Sequence, residues 1–295
     1  MAERAQRRVD WKALGRLGPC QLRARLPMEG YYSGIHKSPY HGFNVEFAEY
    51  REYSPGDDLR YLDWRAYARS DRFFVKQFEA ETNLSCYLLL DCSSSMDFTT
   101  NKSTRLDYAA SLAAALALIM LRQGDQIGLV VFDNLVRRFV PPRGNVRHFA
   151  KIVEVLEGLK SGGDTDISSV LHEISERVSR RSLVIVISDF FDNVESILRS
   201  LQHFRHRRHE VIVLHVLDDA EVEFPFDRVT SFEGMERGER IVADPRIVGE
   251  GYRARFRQYQ ETLKRGCMEK NIDYQMMLMS EPFDRALITY LARRK

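Results

Sequence analysis

Residues 88–97 read LLLDCSSSMD. An apolar run ends abruptly in Asp91, and Ser93 and Ser95 follow at alternate positions. In an extended or turning loop, alternate side chains point the same way, so one carboxylate and two hydroxyls can share a focus. These are hard oxygen ligands, suited to Mg2+, Mn2+ or Ca2+ rather than to zinc. They do not complete a shell of about six oxygens, so other loops or waters must contribute. Two later segments offer candidates. Thr165 lies in SGGDTDI (161–167), a glycine-rich turn ahead of a helix, and Asp189 directly follows the apolar run LVIVIS. The competing explanation is local, since Ser and Asp at a strand-to-helix junction are ordinary caps.

The elements that must position these residues alternate along the chain. LSCYLLL (84–90), IGLVVF (127–132), LVIVI (183–187), VIVLHVL (211–217) and IDYQMMLM (272–279) read as strands. Between them, 106–121, 148–159, 167–178, 194–204, 245–270 and 283–293 carry helical spacing. Asp166 or Ser168 caps the 167–178 helix. VRRFV (136–140) returns as a hairpin after Asp133 and Asn134, and Pro141, Pro142 and Gly144 are expected to break the chain. Continuously apolar strands alternating with helices imply an α/β fold with a doubly wound, mostly parallel sheet covered on both faces. In such folds ligands sit beyond the carboxyl ends of the strands, where Asp91 and Asp189 both fall. Residues 81–295 form this domain, with a β-rich insertion at 222–244, and residues 1–80 form an N-terminal extension of different texture.

Composition narrows the function classes. The 295 residues are 44% hydrophobic and 29% charged, with a formal net charge of +2. That balance gives no reason to expect nucleic acid or an anionic membrane as a partner. Cysteines at 20, 86, 92 and 267 have no CxxC spacing and fit a reducing compartment better than a zinc site or a disulfide framework. The first residues lack an apolar core of signal-peptide type, and LAAALALIML (112–121) is too short to span a bilayer. A cytoplasmic protein without a membrane span is expected. GxGxxG and GxxxxGK[ST] are absent, so nucleotide binding by those routes is unsupported.

The D-x-S-x-S after an apolar strand, the Thr in a glycine-rich loop and the Asp ending a later strand resemble the metal-ion-dependent adhesion site (MIDAS) of von Willebrand factor A (vWA) domains. The resemblance implies that Ser93, Ser95 and Thr165 bind Mg2+ or Mn2+ directly, with Asp91 and Asp189 acting directly or through water. A narrower resemblance runs from about residue 30 onward. GFNVEFAEYREYSPGDDLRYLDWRAYARSDRFFVKQFEAET (42–82), RRSLVIVISDFFD (180–192) and RHEVIVLHVLDDAEVEFPF (208–226) are similar to the bacterial domain-of-unknown-function-58 family. Those proteins pair this N-terminal segment with a vWA-like core. The resemblance implies work with a MoxR-type AAA+ ATPase or its client. A metal whose direct ligands are mostly neutral hydroxyls keeps its positive charge, so a partner's Asp or Glu can complete its sphere. The three segments hold no His or Lys to serve as a general base, which favours binding over catalysis. The enzyme alternative is a metal-dependent phosphoryl hydrolase of the haloacid-dehalogenase type, but that chemistry needs an aspartate where Ser93 stands.

Two further segments stand out. Residues 50–72 interleave arginines, aspartates and aromatics. Arg60, Trp64, Arg65, Tyr67 and Arg69 are candidates for a docking surface, since Trp, Tyr and Arg dominate interface hot spots. The bland alternative is an ion-pair network with Asp57, Asp58 and Asp63, one side of it buried by Trp64 and Tyr67. FFVKQFEAET (73–82) is strand-like and is expected to pair along the sheet edge or with residues 222–244. HFRHRRH (203–209) reads as a solvated basic helix end.

Overall fold

A computed structural model describes residues 45–54, 62–70, 72–80, 84–100, 103–163, 166–178, 181–234 and 240–293. The chain divides into two compact units, one within residues 25–83 and one from Leu84 onward.

In the smaller unit, β1 (Val45–Glu52) and β2 (Phe74–Ala80) pair antiparallel, with a register shift between Phe47 and Glu49. Helix α1 (Trp64–Ser70) lies between them in sequence. Tyr67 stacks on Phe73 with ring centroids 4.3 Å apart, and Tyr53 meets the same ring edge-on at 6.3 Å. Two expectations are corrected here. β2 takes β1 as its partner, not the edge of the large sheet or residues 222–244. Trp64 is 62% exposed, so it does not bury one side of the segment.

The larger unit is built on a six-stranded sheet of β3 (Ser85–Asp91), β4 (Gln126–Phe132), β5 (Val136–Arg143), β6 (Leu183–Ser188), β7 (Glu210–Leu217) and β10 (Asp273–Leu278). The spatial order is β10-β7-β6-β3-β4-β5, and only β5 runs antiparallel. The strands are apolar at nearly every position because helices cover both faces. Helices α4 (Ile167–Arg177), α5 (Val194–His206) and α7 (Pro245–Glu269) share one core with Tyr87, Leu89, Val130, Val184 and Val213. Helix α2 (Arg105–Arg122) packs against α3 (Val146–Glu157) and α8 (Phe283–Arg293) on the other face. The alanine stripe of α2, from Ala109 to Ala117, is fully buried and lets the helix lie close to the sheet. Thr104 closes its N-terminus in a reciprocal cap with Asp107, and Asp166 rather than Ser168 caps α4.

Strand order reverses at β3 and β6. The chain leaves β3 towards β4 and leaves β6 towards β7, in opposite directions across the sheet. Folds of this kind take ligands beyond the carboxyl ends of two such neighbours, and Asp91 and Asp189 stand there.

Pro141 and Pro142 do not break the chain, because β5 continues through them to Arg143. β5 is an edge strand, where a missing N–H costs no ladder bond. Its close approach needs Gly128 on β4, where an added Cβ would lie 2.8 Å from the Val140 carbonyl oxygen. In the insertion, α6 (Asp219–Glu223) leads to a hairpin of β8 (Thr230–Glu233) and β9 (Arg240–Ala243). Phe224 stacks with Phe232 and anchors it near α7.

The segment 203–209 is only partly a solvated helix end. His203 and His206 are exposed, but His209 is fully buried, with Nδ1 accepting from the Ser182 N–H at 3.2 Å. Burial, reinforced by the Arg207 charge, pushes its pKa down to about 4.

Two measurements check this packing. Gly128→Ala should cost about 1–3 kcal/mol in urea unfolding, since the new methyl meets backbone that cannot swing away; an unchanged midpoint would contradict the close β4–β5 approach. Between pH 6.5 and 4 the unfolded chain protonates His209 while the folded chain does not, so acidification across this window removes stability. His209→Gln should lose less stability over that window than the parent chain.

Candidate functional site

The carboxyl end of the sheet carries a row of buried acids. Asp91, Asp133, Asp189 and Asp218 each stand at or just beyond the end of β3, β4, β6 and β7. Their exposures are 0%, 2%, 0% and 0%. A buried carboxylate must be paired, hydrogen-bonded or protonated, and the four are treated differently.

Asp133 accepts from the Leu135 N–H at 2.9 Å and from Arg137 Nε at 2.6 Å. Asp189 pairs with Arg105, the first residue of α2, and accepts from the Phe191 N–H at 3.3 Å. The same guanidinium reaches Glu221 Oε1 on α6 at 2.8 Å and lies over the Phe98 ring at 5.0 Å. Asp218 caps α6 and holds Thr100 through its N–H at 3.0 Å and its hydroxyl at 2.6 Å.

Asp91 is the exception. Its Oδ1 accepts from the Ser93 N–H at 2.9 Å, and its Oδ2 accepts from the Ser188 hydroxyl at 2.6 Å. Both donors are neutral, and among the described residues no arginine or lysine pairs with this group. Burial and then the nearby Asp189 charge push its pKa up to about 7, against the pull of the Ser188 and Ser93 bonds.

The Asp91–Ser93 bond turns the chain sharply off β3 into a short 3-10 helix, Ser94–Asp97, anchored by the buried Met96. That turn brings Ser93 Oγ and Ser95 Oγ to 3.0 Å. The glycine-rich loop is pinned alongside. Ser94 donates to the Gly163 carbonyl from both its N–H and its hydroxyl at 3.1 Å, and the Gly162 N–H donates to Cys92 O at 3.0 Å. Gly163 has φ +86°, and a Cβ there would meet Asp133 Oδ2 at 2.8 Å, so glycine is needed on both counts. Thr165 lies outside the described residues, two positions beyond Gly163.

This donor set is compatible with a hard divalent cation. Adjacent oxygens on a regular octahedron with bonds of about 2.1 Å lie roughly 3.0 Å apart, the spacing of the two serine hydroxyls. Asp91 offers a buried carboxyl without a cationic partner among the described residues, and a cation beside it would favour its ionised form. Among the described residues no cluster of three His, Cys, Asp or Glu side chains could hold a metal, so a cation here would rest mainly on hydroxyls.

Of the expected site residues, Asp91, Ser93, Ser95 and Asp189 meet at the carboxyl ends of β3 and β6. Arg60 lies outside the described residues, as does the side chain of Arg65. Trp64 and Arg69 are exposed, and Tyr67 is half-buried against Phe73. Sequence reasoning missed Ser188, Arg105, Glu221, Asp133 and Asp218. One signal was present: LLLD, VVFD, VISD and HVLD each end an apolar run in aspartate.

Removing one member of a buried ion network leaves its partners uncompensated. Arg105→Met should therefore cost about 3–5 kcal/mol in urea unfolding. Adding Asp189→Asn and Glu221→Gln to that variant should restore most of the loss. Equal stability of Arg105→Met and the parent chain would remove the network from the fold's supports.

The region matched by known proteins spans this site. A family model described as "Protein of unknown function DUF58" matches residues 49–264. An uncharacterized protein of Mycobacterium tuberculosis is 29% identical over 219 residues, covering 73% of this chain and 68% of its own. Among solved structures, the conserved hypothetical protein BatB from Bacteroides thetaiotaomicron is 17% identical with a TM-score of 0.48, covering 71% of this chain and 98% of its own. The VWA domain of SpRpn10 is 9% identical with a TM-score of 0.42, covering 70% and 94%. Among the described residues no helix is long and apolar enough to cross a membrane. With the family model matching most of its length, the chain belongs to the family of unknown function DUF58.

Proposed function

We propose that the chain is a protein-interaction module whose binding site is built around a divalent cation, Mg2+ or Mn2+. Ser93, Ser95 and Thr165 would hold the ion, with Asp91 and Asp189 beside it. The observation that carries this reading is Asp91: a fully buried carboxylate without a cationic partner among the described residues, held by the Ser188 hydroxyl and by the N–H of Ser93, whose own hydroxyl lies 3.0 Å from that of Ser95. A bound divalent ion would supply positive charge and an open coordination position for a partner's carboxylate. The chain's own residues do the rest. Ser188 and the Ser93 N–H fix the Asp91 carboxylate, Arg105 holds Asp189 in place, and the Ser94–Gly163 bonds keep the two loops together.

The partner is a protein presenting an exposed Asp or Glu. The resemblance of the serine and glycine loops to an adhesion site, together with membership of this family, favours a MoxR-type AAA+ ATPase or its client. Hydroxyl ligation also favours binding over hydrolysis, because it leaves the ion's charge available to the partner.

The test joins stability to capture. At a Mg2+ concentration of 100 times Kd the ion should add about 2.7 kcal/mol of stability. Ser93→Ala and Ser95→Ala should each remove that gain while leaving EDTA-treated stability close to the parent's. Capture of a purified MoxR-type ATPase should require Mg2+ and should vanish in both variants. Mg2+-dependent capture surviving in Ser93→Ala would sink the reading.

A further inference from the structure

Helices α4 and α5 meet along a seam that brings two histidines together. Ser200 Oγ donates to the Ser168 carbonyl at 2.9 Å, His203 faces His172, and Arg207 pairs with Glu176. These contacts step down the seam by about one turn on each helix, so the helices run parallel and in register. The register is fixed on both sides of the histidine pair. The two imidazoles lie edge-to-face, with ring centroids 4.6 Å apart and planes at 72°. Both residues are exposed, and among the described residues neither ring takes part in a hydrogen bond.

That spacing is the spacing of two ligands on one ion. An ion bound by imidazole nitrogens through bonds of about 2.0–2.1 Å lies roughly 3.2 Å from each ring centroid, so two such centroids stand about 4.5–5.2 Å apart at ligand angles of roughly 90–109°. The flanking charges do not oppose a cation. Arg199, one turn before His203, turns back along its own helix to the Glu195 carbonyl at 3.4 Å and to Ser196 Oγ at 3.3 Å. Arg207, one turn after it, is paired with Glu176. An aromatic contact is the competing use of the two rings, and it gives no affinity for a metal.

We propose that His172 and His203 form a binding site for a borderline divalent transition-metal ion, Zn2+, Ni2+ or Cu2+, held across the α4–α5 seam. Imidazole suits these ions, whereas Mg2+ takes oxygen ligands. Two side chains do not complete a shell, and no third His, Cys, Asp or Glu joins them among the described residues, so water fills the remaining positions. The site is separate from the one at Asp91 and does not rest on the cation reading there.

Isothermal titration of the full chain with Zn2+ at neutral pH, with excess Mg2+ present, tests it. Saturable binding is expected. His172→Gln and His203→Gln should each weaken it by about 100-fold, because the second imidazole no longer binds as part of a chelate. Both side chains are exposed, so these variants keep the fold. His206→Gln, which removes an exposed histidine three residues further along the same helix, should leave binding unchanged, as should Ser93→Ala. Absence of saturable Zn2+ binding, or equal binding by the parent chain and His172→Gln, overturns the inference. Loss of binding in His206→Gln with retention in His172→Gln also overturns it, since the ion would then sit on one helix.

Discussion

Four parallel strands side by side each deliver a buried aspartate to the same edge of the sheet, and the geometry of that edge follows from how each charge is compensated. Transfer of a carboxylate out of water is among the costliest events in folding. Asp133 and Asp189 meet it with arginines, Arg137 and Arg105. Asp218 meets it as a helix cap. Asp91, on the strand where the order of the sheet reverses, has the Ser188 hydroxyl and the Ser93 N–H, and among the described residues no cationic partner. Asp189, although paired with Arg105, still adds to the upward push that burial gives the Asp91 pKa. A second unbalanced carboxylate beside Asp91 would drive its protonation further.

Arg105 shows how far this requirement reaches. It sits at the first position of α2, where the helix dipole disfavours a positive charge. Its placement makes sense through its partners. One guanidinium ties the start of α2 to the end of β6 through Asp189 and to α6 through Glu221, with Phe98 beneath it. The Thr100–Asp218 bonds run parallel to it. The residues that follow the serine motif are thereby fastened to elements 84 to 118 residues away in sequence.

The legibility of these features differs by physical cause. β3, β4, β6 and β7 could be read directly because a strand buried on both faces is apolar throughout, and the D-x-S-x-S spacing could be read because it is local. β5 was harder. Prolines suit an edge strand and a chain break equally well, and only Gly128 opposite reveals which applies. His209 could not be told from its exposed neighbours, since its burial depends on where the adjacent strand begins. The partner of β2 depends on pairing across some thirty residues, for which neither alternation nor turn chemistry gives a direction. Ser188, Arg105 and Glu221 join the site only once three loops from different parts of the chain meet. Asp133 and Asp218, by contrast, stood in a repeated pattern of apolar run and aspartate, and the pattern was the missed clue.

A net charge of +2 conceals a row of buried aspartates at the carboxyl edge of the sheet. Asp91, Asp133, Asp189 and Asp218 stand at the carboxyl edge, although the amino ends of β7 and β10 also carry acids, Glu210 and Asp273. Helix dipoles favour acids near helix starts but act over a whole helix terminus and select no single residue. Pairing does the selecting. At the carboxyl edge it leaves Asp91 without an arginine among the described residues, while at the amino edge Arg207 is paired with Glu176. Among the described residues the carboxyl edge thus keeps one buried carboxylate that no arginine or lysine neutralises.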